Sequence, residues 1–195
     1  IRLLNEAEAL AGPHWAICRM RVDLYRALGE LELEKSEQVR LEELVPNAVI
    51  DWMLQSILAR QDGDIPNAIE ILKIALQAKP DDYFVHLQLA YLHYLLSFAR
   101  RDVTPRGIEY ADQAIRLRGQ ESQPYALKAL LLGSIGKIEG EGGALDELLQ
   151  AQSKNPDDYY VFQARGLTRL KQAARIDDSQ ATAQQLQKKE KFLDQ

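Results

Sequence analysis

The sequence predicts an all-α fold of consecutive antiparallel helix pairs, and three observations lead to this prediction. Between residues 49 and 82, apolar side chains recur at steps of three and four, which is the period of an amphipathic helix. Gly63 and Pro66 interrupt this pattern with residue types that end one helix and occupy the first turn of the next. The segment Pro80-Asp-Asp-Tyr-Phe84 is nearly repeated as Pro156-Asp-Asp-Tyr-Tyr160, which indicates repeated units.

The N-terminal part predicts one helix followed by a helix pair. Apolar residues at three-residue steps between residues 1 and 10 indicate a helix. We expect it to be the second helix of a unit whose first helix precedes this sequence, with one apolar side left open. The next helix is expected at Trp15–Leu28. Its partner is predicted at about Glu37–Leu44, with Ser36 as the N-cap.

The helix that begins near Tyr83 is predicted to be unusually long. Thr104 and Pro105 suit the cap and the first turn of the helix that follows, so we expect the preceding helix to extend to about Arg100. It would then be about one and a half turns longer than its counterparts. A later helix is expected from Tyr159 to about residue 174.

The central helix pair matches the consensus of a known repeat. The matching positions are Trp52, Ser56, Gly63, Ala68, Leu72, Ala75 and Pro80. They resemble the tetratricopeptide repeat, a helix-turn-helix unit of 34 residues, although Ala59 departs from the usual Tyr. The resemblance implies an α-solenoid, that is, a right-handed superhelical array of antiparallel helix pairs, here with about 11 helices.

The same resemblance implies that residues 1–195 form a single domain. Its units would be the second helix of a truncated repeat at 1–14, a degenerate repeat at 15–48, a repeat at 49–82, repeats with insertions at 83–121 and 122–158, and a partial repeat with a polar capping helix at 159–195. The capping helix is expected at Ala181–Leu193, where it would cover the open end of the stack.

Composition argues against several classes of partner. The net charge is −5, and no Lys/Arg cluster is interleaved with aromatic residues, so a nucleic acid is not expected. No apolar run approaches the roughly 20 residues that span a bilayer, so no direct membrane insertion is expected. The single Cys18 excludes an internal disulfide framework. The compartment stays open, with the cytoplasm preferred over the periplasm.

The sequence predicts neither an enzyme nor a cofactor site. His86 and His93 share a helical face, but no further ligand stands at a spacing that would complete a metal site. The segment Gly133-Ser-Ile-Gly136-Lys137 lacks the spacing of a phosphate-binding loop and reads as a helix-ending turn. Acidic residues are scattered at helical spacing, as on a solvated face. We therefore expect no catalytic, cofactor-binding or metal-binding residue.

The resemblance implies that the first helices of successive units line a concave groove that holds a peptide or helix of a partner protein. The groove positions would be Met53, Ile57, Arg60, Phe84, Leu87, Tyr91, Tyr94, Tyr160 and Gln163. This face is apolar and aromatic, unlike the Lys-, Arg- and Asn-rich grooves of repeat domains that hold the acidic C-terminal peptides of chaperones. We expect a non-catalytic protein-protein interaction scaffold or adaptor in a larger assembly, with Tyr91 and Tyr94 as anchors.

Three alternatives stay open. The aromatic side chains could simply pack between adjacent helices, because large residues are usually core. The chain could be a self-association module and form a homo-oligomer. It could also be a regulatory domain attached to an enzyme or a secretion apparatus outside this segment.

Overall fold

The computed structural model describes residues 1–174 together with residues 187, 190 and 191. Over these residues the chain has ten α-helices, one 3₁₀ helix and no strand, which confirms the predicted all-α class. The helices are α1 (Arg2–Ala11), α2 (Trp15–Leu28), α3 (Leu31–Glu43), α4 (Val49–Gln61), α5 (Ile65–Ala78), α6 (Tyr83–Ser97), α7 (Thr104–Leu117), α8 (Gln123–Ser134), α9 (Ala144–Lys154) and α10 (Tyr159–Ala174). The 3₁₀ helix is Arg101–Val103. Apart from those three positions, the expected helix Ala181–Leu193 lies outside the described residues.

The chain divides into two compact units, Ile1–Pro80 and Asp81–Gln195, referred to below as the first and second units. The division falls at the first of the two repeated junctions. There the Asp82 carboxylate accepts backbone N–H bonds at 3.0 and 3.3 Å and caps the start of α6. Asp64 caps α5 in the same way, through the N–H of Asn67 at 3.1 Å. Helix starts that carry such a cap lie where the sequence predicts them.

In the first unit, polar side chains tie helices together. α2 packs against α1, α3 and α4, and α4 packs against α5. The fully buried Asp51 of α4 accepts the backbone N–H of Ala16 at 2.8 Å, so one carboxylate joins the starts of α2 and α4. The apolar cluster beside these helices is small and comprises Cys18, Val22 and Leu41, with Trp15 and Leu44 against it.

The helix α3 differs from its prediction. It begins at Leu31, not near Glu37, and Ser36 is an exposed residue inside it instead of its cap. The earlier start follows from Gly29, whose left-handed backbone (φ 74°) ends α2 and reverses the chain within two residues. Glu32 and Glu34 then lie in the first turn of α3, where negative charge is favourable.

In the second unit, every other helix packs against the next one but one along the chain. α6 packs against α8, and α8 packs against α10. α7 packs on both α6 and α8, and α9 packs on both α8 and α10. Fully buried alanines allow these close approaches: Ala90, Ala111, Ala114, Ala126, Ala129, Ala144, Ala151 and Ala164. The largest apolar cluster among the described residues lies between these helices.

The predicted extension of α6 is wrong. The helix ends at Ser97 and has 15 residues, against 14, 13 and 12 in α2, α4 and α8, so it exceeds these counterparts by less than one turn. Arg100 adopts an extended conformation, and the additional residues form the 3₁₀ helix. Thr104 is buried, opens α7 as its first residue and makes no cap hydrogen bond, so it does not fill the predicted role. Pro105 does lie in the first turn.

Candidate functional site

The predicted groove residues belong to both units. Met53, Ile57 and Arg60 lie on α4 of the first unit, and each is partly exposed. The other six lie on α6 and α10 of the second unit. The aromatic part of the predicted site is therefore contained in the second unit.

On α6, the predicted residues differ in burial. Leu87 is only 6% exposed and belongs to the core, which corrects its expected place on the surface. Tyr91 and Tyr94 are partly buried against that core, so their rings support the fold and also reach the surface. Phe84 is exposed at the start of the helix, where the Arg118 guanidinium lies 4.9 Å from its ring centre.

Four rings on α6 and α10, together with the ring of Phe98 directly after α6, form what we call the aromatic surface: Tyr91, Tyr94, Phe98, Tyr159 and Tyr160. The ring centres of Tyr91 and Tyr160 lie 5.9 Å apart, although these residues stand on helices separated by α8. Tyr94 and Phe98 are 5.1 Å apart, and both pairs meet edge to face. This geometry is the favoured one for aromatic pairs, so the rings hold one another in place.

The most exposed members of the aromatic surface are Phe98 (69%) and Tyr159 (67%). Tyr159 is not among the groove residues predicted from the sequence, although it stands beside Tyr160 in the repeated junction. Gln163, a predicted groove residue, is exposed and donates a hydrogen bond from Nε2 to the Tyr159 hydroxyl at 2.6 Å. The Gln163 amide therefore orients the Tyr159 ring.

Burial raises the pKa of two phenol groups on α6, those of Tyr94 and Tyr83. Burial raises the pKa of Tyr94 above its usual value, and neighbouring Tyr91 and Tyr159 add to the increase. At the other end of α6, burial raises the pKa of Tyr83 to about 12, with a contribution from Glu121. Because neither phenol ionises near neutral pH, both are suited to packing and hydrogen bonding.

A cleft of about 260 Å³ lies next to the aromatic surface, with Phe98 common to both. We call it the basic cleft, and its lining residues are Ser97, Phe98, Arg101, Ser134, Leu167, Leu170 and Lys171. The two hydroxyl groups donate to carbonyls of their own helices, Ser97 to Tyr94 and Ser134 to Leu131, each at 2.7 Å. The two cations are therefore the polar groups of the lining that remain available to a ligand.

Other candidate chemical groups have packing roles. The rings of His86 and His93 flank Tyr110, with centre distances of 6.0 and 5.5 Å. Burial raises the pKa of the Cys18 thiol to about 11, helped by Glu37, which opposes formation of a reactive thiolate. Among the described residues, no three His, Cys, Asp or Glu side chains are grouped as metal ligands, and no helix is long and apolar enough to span a bilayer.

Comparison with known proteins does not identify a family. No family model matches the chain, and no curated protein matches its sequence. The function therefore has to be inferred from the geometry of the aromatic surface and the basic cleft.

Proposed function

We propose that the chain is a non-catalytic scaffold of tetratricopeptide type that binds a short segment of a partner protein on the aromatic surface. The packing order of the second unit supports this proposal, because each of α6, α8 and α10 contacts the next. In a solenoid of helix pairs, this arrangement makes the first helices of successive units into one continuous face. The resemblance of residues 49–82 to the repeat consensus supports the same conclusion.

The observation that carries the proposal is the exposure of large rings on two helices of one face. Phe98 and Tyr159 are more than half exposed and adjoin the three partly buried tyrosines. Aromatic residues are enriched at protein interfaces, because a ring buries a large area at low entropic cost and a tyrosine keeps a polar tip. Rings that already pack against one another lose little freedom on binding. The surface is thus suited to an apolar partner segment.

Peptide display tests this proposal directly. The purified chain is used to select from random 12-residue peptides, and we expect enrichment of sequences with two or more large apolar residues. The double variant Phe98→Ala/Tyr159→Ala should lose this enrichment while keeping its helical circular dichroism. Leu117→Ala/Leu149→Ala is the matched control, because it removes two exposed apolar side chains from α7 and α9. Failure to enrich apolar peptides, or equal enrichment with the double variant, would refute the proposal.

Self-association is the second candidate, and exposed apolar residues of the first unit favour it. Leu3 and Leu10 on α1 are 73% and 90% exposed, and Val39 and Val45 are also largely exposed. An apolar face of this kind is typical of an interface between proteins. Sedimentation equilibrium between 1 and about 100 μM, a range that brackets weak association, would detect a dimer. Leu3→Ser/Leu10→Ser should then weaken that dimer.

A further inference from the structure

We propose that the partner segment carries an acidic side chain that binds between Arg101 and Lys171 in the basic cleft. This inference rests on the proposed function and adds the chemistry of the partner to it. The two cations come from separate elements, the 3₁₀ helix and α10, and meet at one cleft. Neither lies in the groove register that the sequence predicts.

Charge is the first argument. The protein has a net charge of −5, yet the described residues that line the basic cleft include two cations and no acidic residue. Among the described residues, the nearest acid along the chain, Asp102, is paired with Arg100 at 2.8 Å. A carboxylate that entered the cleft would meet two positive groups, and no acidic side chain among the described lining residues would compete with it. Charge-assisted hydrogen bonds of this type are strong.

The negative ends of the neighbouring helices do not fully neutralise the two cations of the cleft. α6 ends at Ser97 and α8 ends at Ser134, and both residues line the cleft. Each helix C-terminus is equivalent to a charge of about −0.5 and acts only near the last turn. Lys171 lies in the last turn of α10 and interacts with that terminus as well. The two ends at Ser97 and Ser134 offset about one unit of the +2 charge on Arg101 and Lys171, so the cleft keeps a net attraction for an anion.

The basic cleft adjoins the aromatic surface, so the rest of the ligand should be apolar. Phe98 belongs to both features, and Leu167 and Leu170 extend the apolar lining along α10 toward Lys171. From Tyr160 to Lys171 the helix rises about 16 Å at 1.5 Å per residue. An extended peptide covers that distance in about five residues. The matching segment therefore has large apolar residues followed, about five positions away, by Asp or Glu.

The test compares the peptides selected by two charge variants. Peptides are displayed through their C-terminal end, so that only side chains can supply a carboxylate. The wild-type chain should select apolar sequences with Asp or Glu at one end. Arg101→Glu/Lys171→Glu should select apolar sequences without this acidic preference and bind a wild-type-selected peptide at least about tenfold more weakly. Arg106→Glu/Arg116→Glu, which changes the net charge equally on exposed positions of α7, should bind within about twofold of wild type.

Three results would overturn the inference. Apolar peptides without an acidic preference would refute it and leave the proposed function standing. A selected peptide that binds about tenfold better with a free C-terminus than as its amide would assign the cleft to a terminal carboxylate instead of a side chain. Absence of any apolar peptide would refute both proposals. If the charge-reversed variant does not fold, Arg101→Gln/Lys171→Gln replaces it and should likewise lose the acidic preference.

Discussion

Helices α1, α2 and α3 of the first unit are joined by more deeply buried charged side chains than the helices of the second unit. In the first unit, Arg21 is 4% exposed and bonds carboxylates on both neighbouring helices, Glu8 of α1 at 2.7 Å and Glu37 of α3 at 3.1 Å. Arg40 joins the same two carboxylates. In the second unit, Lys128 of α8 makes a comparable bridge to Asp112 and Glu147, at 2.9 and 2.6 Å, but it is more exposed (20%). There the helices pack mainly through leucine and alanine, with Leu127, Leu130 and Leu131 fully buried.

Similar helix pairs can therefore be held together mainly by ion pairs or mainly by apolar packing. α1 has no buried residue, so its position depends on ion pairs and on the hydrogen bond from Arg21 to the Leu4 carbonyl. Of its leucines, Leu4 is partly buried, whereas Leu3 and Leu10 are left exposed. The second unit buries its apolar side chains and exposes rings mainly on one face. We therefore expect the first unit to respond to charge and pH, and the second to respond to lost volume.

The largest effect is expected for Arg21→Met. Removing the cation leaves Glu8 and Glu37 partly buried without their main partner, which should cost about 3 to 5 kcal/mol. Urea unfolding followed by tryptophan fluorescence measures this, because both tryptophans, Trp15 and Trp52, lie in the first unit. Arg2→Met is the control, because Arg2 is 87% exposed and pairs only with exposed Glu6. A cost below about 1 kcal/mol for Arg21→Met would show that the ion network does not hold this unit.

The next effect is expected in the second unit. Leu130→Ala removes a fully buried side chain from the core and should cost about 2 to 5 kcal/mol through lost contacts and a cavity. Hydrogen exchange of the α8 amides should accelerate accordingly. Leu149→Ala, at an exposed position of α9, should leave that exchange unchanged. Equal effects of the two variants would contradict the assignment of Leu130 to the core.

A smaller effect depends on pH. Burial of the Glu8 carboxyl favours its neutral form, but hydrogen bonds from Arg21 and Arg40 outweigh this and lower its pKa below the ordinary 4.5. A lowered pKa contributes stability that is complete above 4.5 and is lost as the pH falls through the folded-state value. Protonation should therefore weaken the attachment of α1 at acidic pH.

Nuclear magnetic resonance of the α1 amides checks this pH dependence. Their signals should move toward unfolded positions as the pH drops below 4.5. Glu8→Gln should weaken the attachment already at pH 7, by about 1 to 2 kcal/mol for a lost charged hydrogen bond, and should remove the dependence on acid. A transition that persists in Glu8→Gln would assign the effect to another carboxylate.

The smallest effect compares two residues with the same local sequence. Tyr83 and Tyr159 both follow Pro-Asp-Asp, but Tyr83 is buried beneath the Arg118 guanidinium, 4.7 Å from its ring centre, whereas Tyr159 is mostly exposed. Tyr159→Ala should change the free energy of unfolding by less than about 0.5 kcal/mol. Thermal melting followed by circular dichroism gives this value. A clear loss of stability would make Tyr159 a structural residue and remove it from the proposed site.

Local features of the fold could be predicted from the sequence, whereas features that depend on distant residues, such as the different burial of Tyr83 and Tyr159, could not. Capped helix starts, such as those at Asp64 and Asp82, were predictable because the signal is local. The bounds of α2 and the start of α10 at Tyr159 agree with the expectations for the same reason. The end of α6 was not predictable, since no glycine marks Ser97. Burial of Tyr83 depends on Arg118, which lies 35 positions later in the chain.

The candidate site was predictable only in its aromatic character. Tyr91, Tyr94 and Tyr160 were expected on one face, and the structure brings their rings together. The basic cleft was not foreseen, because Arg101 and Lys171 are 70 positions apart and become neighbours only through the packing of α6, α8 and α10. Sequence periodicity describes one helix at a time and does not report such neighbours.

The most direct test of the proposed scaffold function is the affinity of one selected apolar peptide for Tyr159→Ala, measured by fluorescence anisotropy. Truncating an anchoring ring typically costs about 2 kcal/mol, so we expect roughly thirtyfold weaker binding with unchanged helical circular dichroism. Leu149→Ala, which removes an exposed apolar side chain from α9, should bind like the wild type. Equal affinity of Tyr159→Ala and wild type would contradict the assignment of the aromatic surface as the binding site.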